Sequence, residues 1–330
     1  MSTVQADIIP GGGGAQARPR RRHLSWGDPA FRWLTIVCGA SVAIAMLLLV
    51  GVLLQNSWLA IHVLHFEPLR TFEFNPSQGR YGALSSLLGT LLTTVIAMVV
   101  AVPLALAIAL LLVELVHPRV SRVIGTTIEM LAAVPSIIFG LWGVSVIAPL
   151  MGKHVEPWIQ GTPLGRLGIF SGGSGTGYDI FTAGLVLAVM ILPFITAVTR
   201  DVLRMVPRVV KEAGYGMGST TYEVMRKISM RYALAGIVGA VFLGLGRALG
   251  ETMAVAMLIG GNLTRVPHSV FDSGTSVPAT IALQFQESLS KLETSALIEM
   301  ALILFAITMV FQVIAQLWLA RARRMTGSRA

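Results

Sequence analysis

RDVLRMVPRVVKEAGYGMGSTTYEVMRKISMRYA, residues 200–233, runs directly into LAGIVGAVFLGLGRALGETMAVAMLIGG, residues 234–261, and the contrast between the two halves decides the fold. The first half is polar, helix-forming and interrupted by glycine. The second is apolar enough to span a bilayer, yet carries Arg247 and Glu251 near its centre. Each charge at membrane depth costs ~2.5–3.5 kcal/mol on insertion scales, so a membrane helix does not carry two without a use for them. Four residues apart on one helix, the two are expected to share a face and to neutralise one another. The polar half then reads as a loop through which something in the cytoplasm acts on the helix behind it.

Composition supports a membrane setting. Of 330 residues 54% are hydrophobic and only 12% charged, against about 25% charged in a soluble domain. The formal charge of +9 does not indicate nucleic acid, because the basic residues lie between apolar runs rather than on one face. The single cysteine, Cys38, sits inside the first apolar run, so neither a disulfide framework nor a cysteine metal site is available. Six histidines are scattered with no HExxH or similar helical pair, and no cofactor is expected.

On either side of the charged stretch the apolar runs predict an all-α, polytopic protein with six transmembrane helices. Residues 1–32, with PGGGGAQARPRRRH, read as a disordered basic cytoplasmic tail. Residues 33–54 are 22 in a row without a charge, too long for the ~7–15-residue core of a signal peptide and long enough to span. The further spans are expected at about 84–113, 122–150, 180–199, 234–261 and 300–320, with a coupling loop at 200–232 and a basic tail at 321–330. Pro103 predicts a kink in the second span. Pro135 and Gly140, in AAVPSIIFGLWG, are possible breaks in the third. SGGSGTG at 171–177 reads as a flexible loop, and Glu114 and Glu299 as solvated carboxylates near span ends.

Orientation follows from the basic residues. With the N-terminus in the cytoplasm and six crossings, 18 of the 25 Lys and Arg fall on cytoplasmic segments and six on outer loops, the last being Arg247. That bias places both termini in the cytoplasm. No G-x-x-x-x-G-K-[ST] occurs, so ATP is not expected to bind this chain, and any such energy must come from another subunit.

Glu212, Ala213 and Gly214, then Gly218, then Ile228 and Met230 resemble the cytoplasmic loop of ABC-importer permeases: Glu-Ala-Ala, a later glycine, then Ile-x-Leu-Pro. Here Gly214 replaces the second alanine, and Met230-Arg231 replaces the Leu-Pro. GLGRALGETMAV at 244–255, EMLAAVPSIIFGLWG at 129–143 and YGAL…GT at 81–90 are similar to the PstC-type permeases of phosphate importers. The resemblance covers about residues 80–330. It implies the type I ABC-importer permease fold, five core helices plus an added first one, in the bacterial plasma (inner) membrane. The implied partners are a dimer of cytoplasmic ATPase subunits, a second, PstA-like permease and an extracytoplasmic phosphate-binding protein. It also implies that the loop forms two short helices, turning at the glycine, that dock on the ATPase.

Candidate pathway residues are Arg247, Glu251, Thr252 and Glu129. Arg247 and Glu251 read either as substrate-handling charges or as an ion pair that fixes packing. Glu129 lines the pathway, caps a bend or meets a loop arginine. Candidate coupling residues are Glu212, Ala213, Gly214, Gly218 and Ile228. The function expected is passage of inorganic phosphate; a permease for sulfate or molybdate, or a structural subunit without its own pathway, are the alternatives. An intramembrane enzyme would need paired aspartates, a Ser/His pair or a zinc motif within the spans, and none is present.

Overall fold

The structure, a computed structural model, describes residues 27–325 except 66 and 174. Of the tails expected at 1–32 and 321–330, residues 1–26 and 326–330 lie outside that range, while 321–325 are not a separate tail but the last residues of the final helix. In chain order the described helices are α1 Gly27–Leu64, α2 Leu84–Leu115, α3 Pro118–Ala132, α4 Ser136–Gly161, α5 Ile180–Arg204, α6 Arg208–Gly216, α7 Thr221–Leu249, α8 Met253–Leu258, α9 Val277–Gln284 and α10 Lys291–Met325. Of these α1, α2, α4, α5, α7 and α10 are long and apolar enough to cross a membrane. A hairpin of two-residue strands, β1 Phe74–Asn75 and β2 Arg80–Tyr81, pairs Phe74 with Tyr81 and Asn75 with Arg80. The chain divides into two units, one ending at Gly51 and one beginning at Val52. Residues 27–32, expected in the tail, are the first turns of α1.

Helix ends depart from the sequence expectation wherever proline or glycine decides them. The span expected at 122–150 is two helices, broken at 133–135 and resumed as α4. Pro135 has no N–H to give and disfavours a helical Val134. α4 then runs to Gly161, well into the expected outer loop, while Gly140 leaves it unbroken. There a larger residue would strike Met257 and the Ala254 backbone. Pro103 and Pro193 lie inside α2 and α5 without ending them. The loop expected at 200–232 is shorter, because α5 reaches Arg204 and α7 starts at Thr221. The last span begins nine residues early, at Lys291 rather than 300.

Within the unit from Val52 onward, α5 is the most buried span, with Leu187, Ile191 and Ile195 fully enclosed. α2 lies along it: Gly184 brings the α5 backbone so near Ile96 that an added Cβ would sit 2.8 Å from it. α7 crosses α5 through two more glycines, Gly236 against Val202 and Gly244 against Ile195. Small residues at a helix crossing allow close backbone approach, which in lipid replaces the hydrophobic drive as a source of association.

Three connections meet at one end of these helices. Phe74 N–H donates to Leu263 O, Ser85 Oγ to Arg265 O, and Val270 N–H to Ile169 O, tying together segments 65–83, 162–179 and 259–276. Phe271 packs between Phe170 and Phe181, with ring centroids 5.9 and 5.5 Å away. At the opposite end α3 and α6 meet the ends of α2 and α5. Arg204 donates to Ser121 Oγ, Ser121 to Leu112 O, and Lys211 Nζ to Glu114 Oε1 at 2.6 Å.

Candidate functional site

The helix bearing the two membrane charges is not continuous. α7 stops at Leu249, Gly250 caps it at φ −92° and ψ 1°, and α8 begins only at Met253. Glycine costs about 1 kcal/mol more than alanine in a helix, and GRALGET has one on each side of Arg247. Glu251 N–H turns back to Ala248 O, and Thr252 Oγ1 donates to Gly250 O, so the chain makes a tight turn where a further helical turn was expected. Arg247 and Glu251 therefore do not share a helix face, and no ion pair joins them among the described residues. This corrects the expected pair. Arg247, half-buried, holds its guanidinium 5.4 Å from the centre of the Phe194 ring on α5, a cation–π arrangement. Glu251, also half-buried, accepts the Ala254 N–H at 3.5 Å at the start of α8. Thr252 precedes α8 without bonding to it through its side chain. The arrangement leaves an arginine fork and a carboxylate unpaired with each other beside a break in a membrane helix.

Glu129 is not with them. It sits on α3 with an exposed carboxylate that accepts from Arg200 Nη2 of α5, meeting an arginine rather than capping a bend. Asp201 accepts from the same nitrogen at 3.1 Å. Arg200 itself is buried, its side chain 5% exposed, and Gly125 of α3 leaves the space its guanidinium fills. Arg200 and Asp201 were not singled out in the sequence. Their signal was a charged pair at the end of an uncharged run, four residues before Arg204.

The candidate coupling residues do come together. α6 ends at Gly216, Gly218 turns the chain at φ +81°, and Thr220 caps α7 in a reciprocal box with Glu223. An added Cβ at Gly218 would meet nothing within 4 Å, so the glycine is there for its backbone angle alone. Gly214, the departure from the Glu-Ala-Ala pattern, has a physical reason. The Ile228 side chain of α7 lies directly on it, so a methyl group there would have to displace Ile228 Cδ1. Glu212 and Ala213 are exposed. Along the same connection Met205, Val209 and Met217 are 69, 74 and 87% exposed. Lys211, beside Glu212, anchors α6 to Glu114. Glu114 is therefore not solvated as expected, its side chain being 6% exposed.

Glu299 is likewise buried, at 6% exposure, on the core-facing side of α10 rather than in solvent. Glu156, near the end of α4, and Asp179, which caps α5 by accepting the Thr182 N–H at 2.8 Å, are each 1% exposed and face one another. Burial pushes the Asp179 carboxyl above the usual aspartate range, against the pull of that N–H.

Residues 101–324 match a family described as "Binding-protein-dependent transport system inner membrane component". A protein of Pasteurella multocida (strain Pm70), "Phosphate transport system permease protein PstC", is 44% identical over 316 residues, covering 94% of this chain and 98% of its own length. One of the same description from Mesorhizobium japonicum (strain LMG 29417 / CECT 9101 / MAFF 303099) is 43% identical over 335 residues, 99% of this chain and 100% of its own. Among solved structures, a chain from a bacterial alginate ABC transporter, in complex with alginate pentasaccharide-bound periplasmic protein, superposes over 91% of this chain and 98% of its own. The TM-score is 0.60 at 14% identity, a likeness of fold.

Proposed function

The chain belongs to the family of binding-protein-dependent transport system inner membrane components, and from that premise we infer that it is the permease subunit of a phosphate ABC importer. It has an all-α, multi-pass permease fold and is a transport subunit rather than an enzyme, working with ATPase and binding-protein partners. One observation carries the phosphate reading: relatives named as phosphate permeases match it over nearly their whole length. Sulfate or molybdate permeases, and a structural subunit without a pathway, are not favoured. The partners proposed are two cytoplasmic ATPases, a second, PstA-like permease and an extracytoplasmic phosphate-binding protein. Both termini are proposed to be cytoplasmic, because that orientation puts 18 of the 25 Lys and Arg on cytoplasmic segments.

The mechanism follows from how α7 is held. The exposed side of α6, which carries Val209, Glu212 and Ala213, is the face offered to the ATPase. Lys211 ties α6 to α2, and Ile228 seated on Gly214 ties α6 to α7. A push on α6 is thus delivered to α7, which carries it roughly 28 Å from Ile228 to Arg247 at 1.5 Å per residue. There the turn at 250–252 lets α7 and α8 move separately. Arg247 presents a fork suited to an oxyanion, and Glu251 accepts a proton that phosphate still carries near neutral pH.

Two results test this reading. Gly218→Val forces a β-branched residue into a left-handed angle at a cost of ~1–2 kcal/mol. The strained turn, and Glu212→Lys separately, should each weaken co-purification of the ATPase and substrate-stimulated ATP hydrolysis about tenfold, with membrane insertion unchanged. Normal binding and stimulation in both variants would remove α6 from the coupling role. Reconstituted alone, the chain should pass no phosphate in response to ATP. Flux from the isolated chain that follows a proton gradient would make it a secondary transporter instead.

A further inference from the structure

Glu156 and Asp179 take no part in the transport reading, yet both are enclosed where acids are costly. The Glu156 N–H bonds back to Met151 O, five residues earlier, so the turn of α4 before it is wound wide. Asp179 caps α5. Each is 1% exposed, and their side chains face one another. Asp179 is well supplied with donors: Thr182 gives it a backbone N–H at 2.8 Å and a hydroxyl at 3.2 Å. Glu156 is not. Neither of its carboxyl oxygens has a partner in hydrogen-bond geometry. The enclosure is built backbone on backbone, since Gly177, at φ +76°, lies where a Cβ would strike Ala148 O of α4.

No positive charge reaches the pair. Lys153 and His154 on α4, Arg166 in the connection after it and Arg265 in 259–276 are all exposed. In that last segment the Asp272 carboxylate is taken up by the N–H groups of His268 and Ser269, and the His268 ring is half-buried. Tyr178, next to Asp179, is half-buried. Among the described residues neither acid joins an ion pair, and no third Asp, Glu, His or Cys completes a metal-binding group. Two enclosed carboxylates in contact cannot both stay ionised. The donors around Asp179, at the N-terminus of α5, favour its charge, which leaves the proton on Glu156.

We propose that Glu156 and Asp179 form a buried proton site, in which one proton, carried by Glu156 and donated to Asp179, clasps the end of α4 to the start of α5. In the orientation proposed above this end faces outward, where the medium sets the pH. The folded pair keeps a proton that the unfolded chain has released above about pH 5, so the clasp weakens as pH rises. The test uses the purified complex. Glu156→Gln, whose amide donates to Asp179 as the protonated acid does, should assemble normally. Between about pH 5 and about pH 8 the parent's melting temperature should fall several degrees further than that of Glu156→Gln. Asp179→Asn, which removes the opposing charge, should flatten the profile as well. Infrared difference spectra across the same range should show the C=O band of one protonated carboxyl in the parent and none in Glu156→Gln. A band that survives in Glu156→Gln, or identical melting profiles, would overturn the proposal. So would a lower melting temperature of the parent once sodium and potassium are replaced by choline with a chelator present, which would make the pair a cation site.

Discussion

Arg247→Gln should end phosphate uptake while the assembled complex stays in the membrane. The structure sharpens the reason. Arg247 makes no ion pair with Glu251; its guanidinium rests over Phe194, a contact worth ~0.5–2 kcal/mol that a ligand can outbid without breaking a salt bridge. An anion arriving there gains charge-assisted hydrogen bonds of about 1.5–3 kcal/mol each. Losing two of them should lower uptake about 100-fold or more. Arg247→Lys keeps the charge but loses the fork, so it should retain part of the activity. Glu251→Gln should be milder than Arg247→Gln, because Glu251 was never Arg247's resting partner and the amide oxygen still accepts the Ala254 N–H. The exchange Arg247→Glu/Glu251→Arg should assemble and stay inactive, since it moves the positive charge from the end of α7 into the turn before α8. Radiolabelled phosphate uptake, with the complex quantified in the same membranes, reads all four. Near-normal uptake by the exchanged variant would show the two charges to be structural only.

The sequence could be read where one kind of residue settles one outcome. Uncharged runs of bilayer length become spans, as residues 33–54 do, and the turn at Gly218 was expected from the resemblance of 212–230 to a permease loop. What the residues alone could not say was where helices end inside an apolar run. Gly250 looks like Gly244 in GLGRALGE, yet Gly244 packs against Ile195 and stays helical while Gly250 ends α7. Pro135 and Pro193 are equally alike in sequence. One starts α4 and the other sits within α5, because the surroundings of α5 hold the helix together around it. Long-range polar pairing was hidden for the same reason. Nothing near Arg200 in the chain announces that Gly125, 75 residues earlier, leaves room for its guanidinium. Burial of Glu114, Glu156 and Glu299 likewise depends on neighbours that tertiary packing supplies.

Removing both acids from Arg200 should harm the protein more than removing Arg200. The arginine is buried, its side chain 5% exposed, whereas Glu129 and Asp201 stand 51 and 65% exposed. Arg200→Met leaves two carboxylates in solvent, where they need no partner, and an unbranched apolar chain of similar length in the space beside Gly125. Glu129→Gln/Asp201→Asn instead leaves a guanidinium enclosed between α3 and α5 with no counter-charge. Leaving a buried charge without its partners is destabilising, by less here than the roughly 3–5 kcal/mol of a fully buried pair because both carboxylates are solvent-screened. The double variant should therefore yield much less assembled complex and melt several degrees lower, with Arg200→Met between it and the parent. Each single acid variant should be mild, because the other carboxylate remains on the same nitrogen. Thermal melting of the purified complex decides it: if Arg200→Met is the least stable of the set, the cluster holds α3 to α5 through the arginine's own packing rather than through charge. If the predicted order holds, α3 is fastened to α5 by a bond that a shift of α3 can break. Glu129 then belongs to the inner end of the moving bundle rather than to the path of the anion.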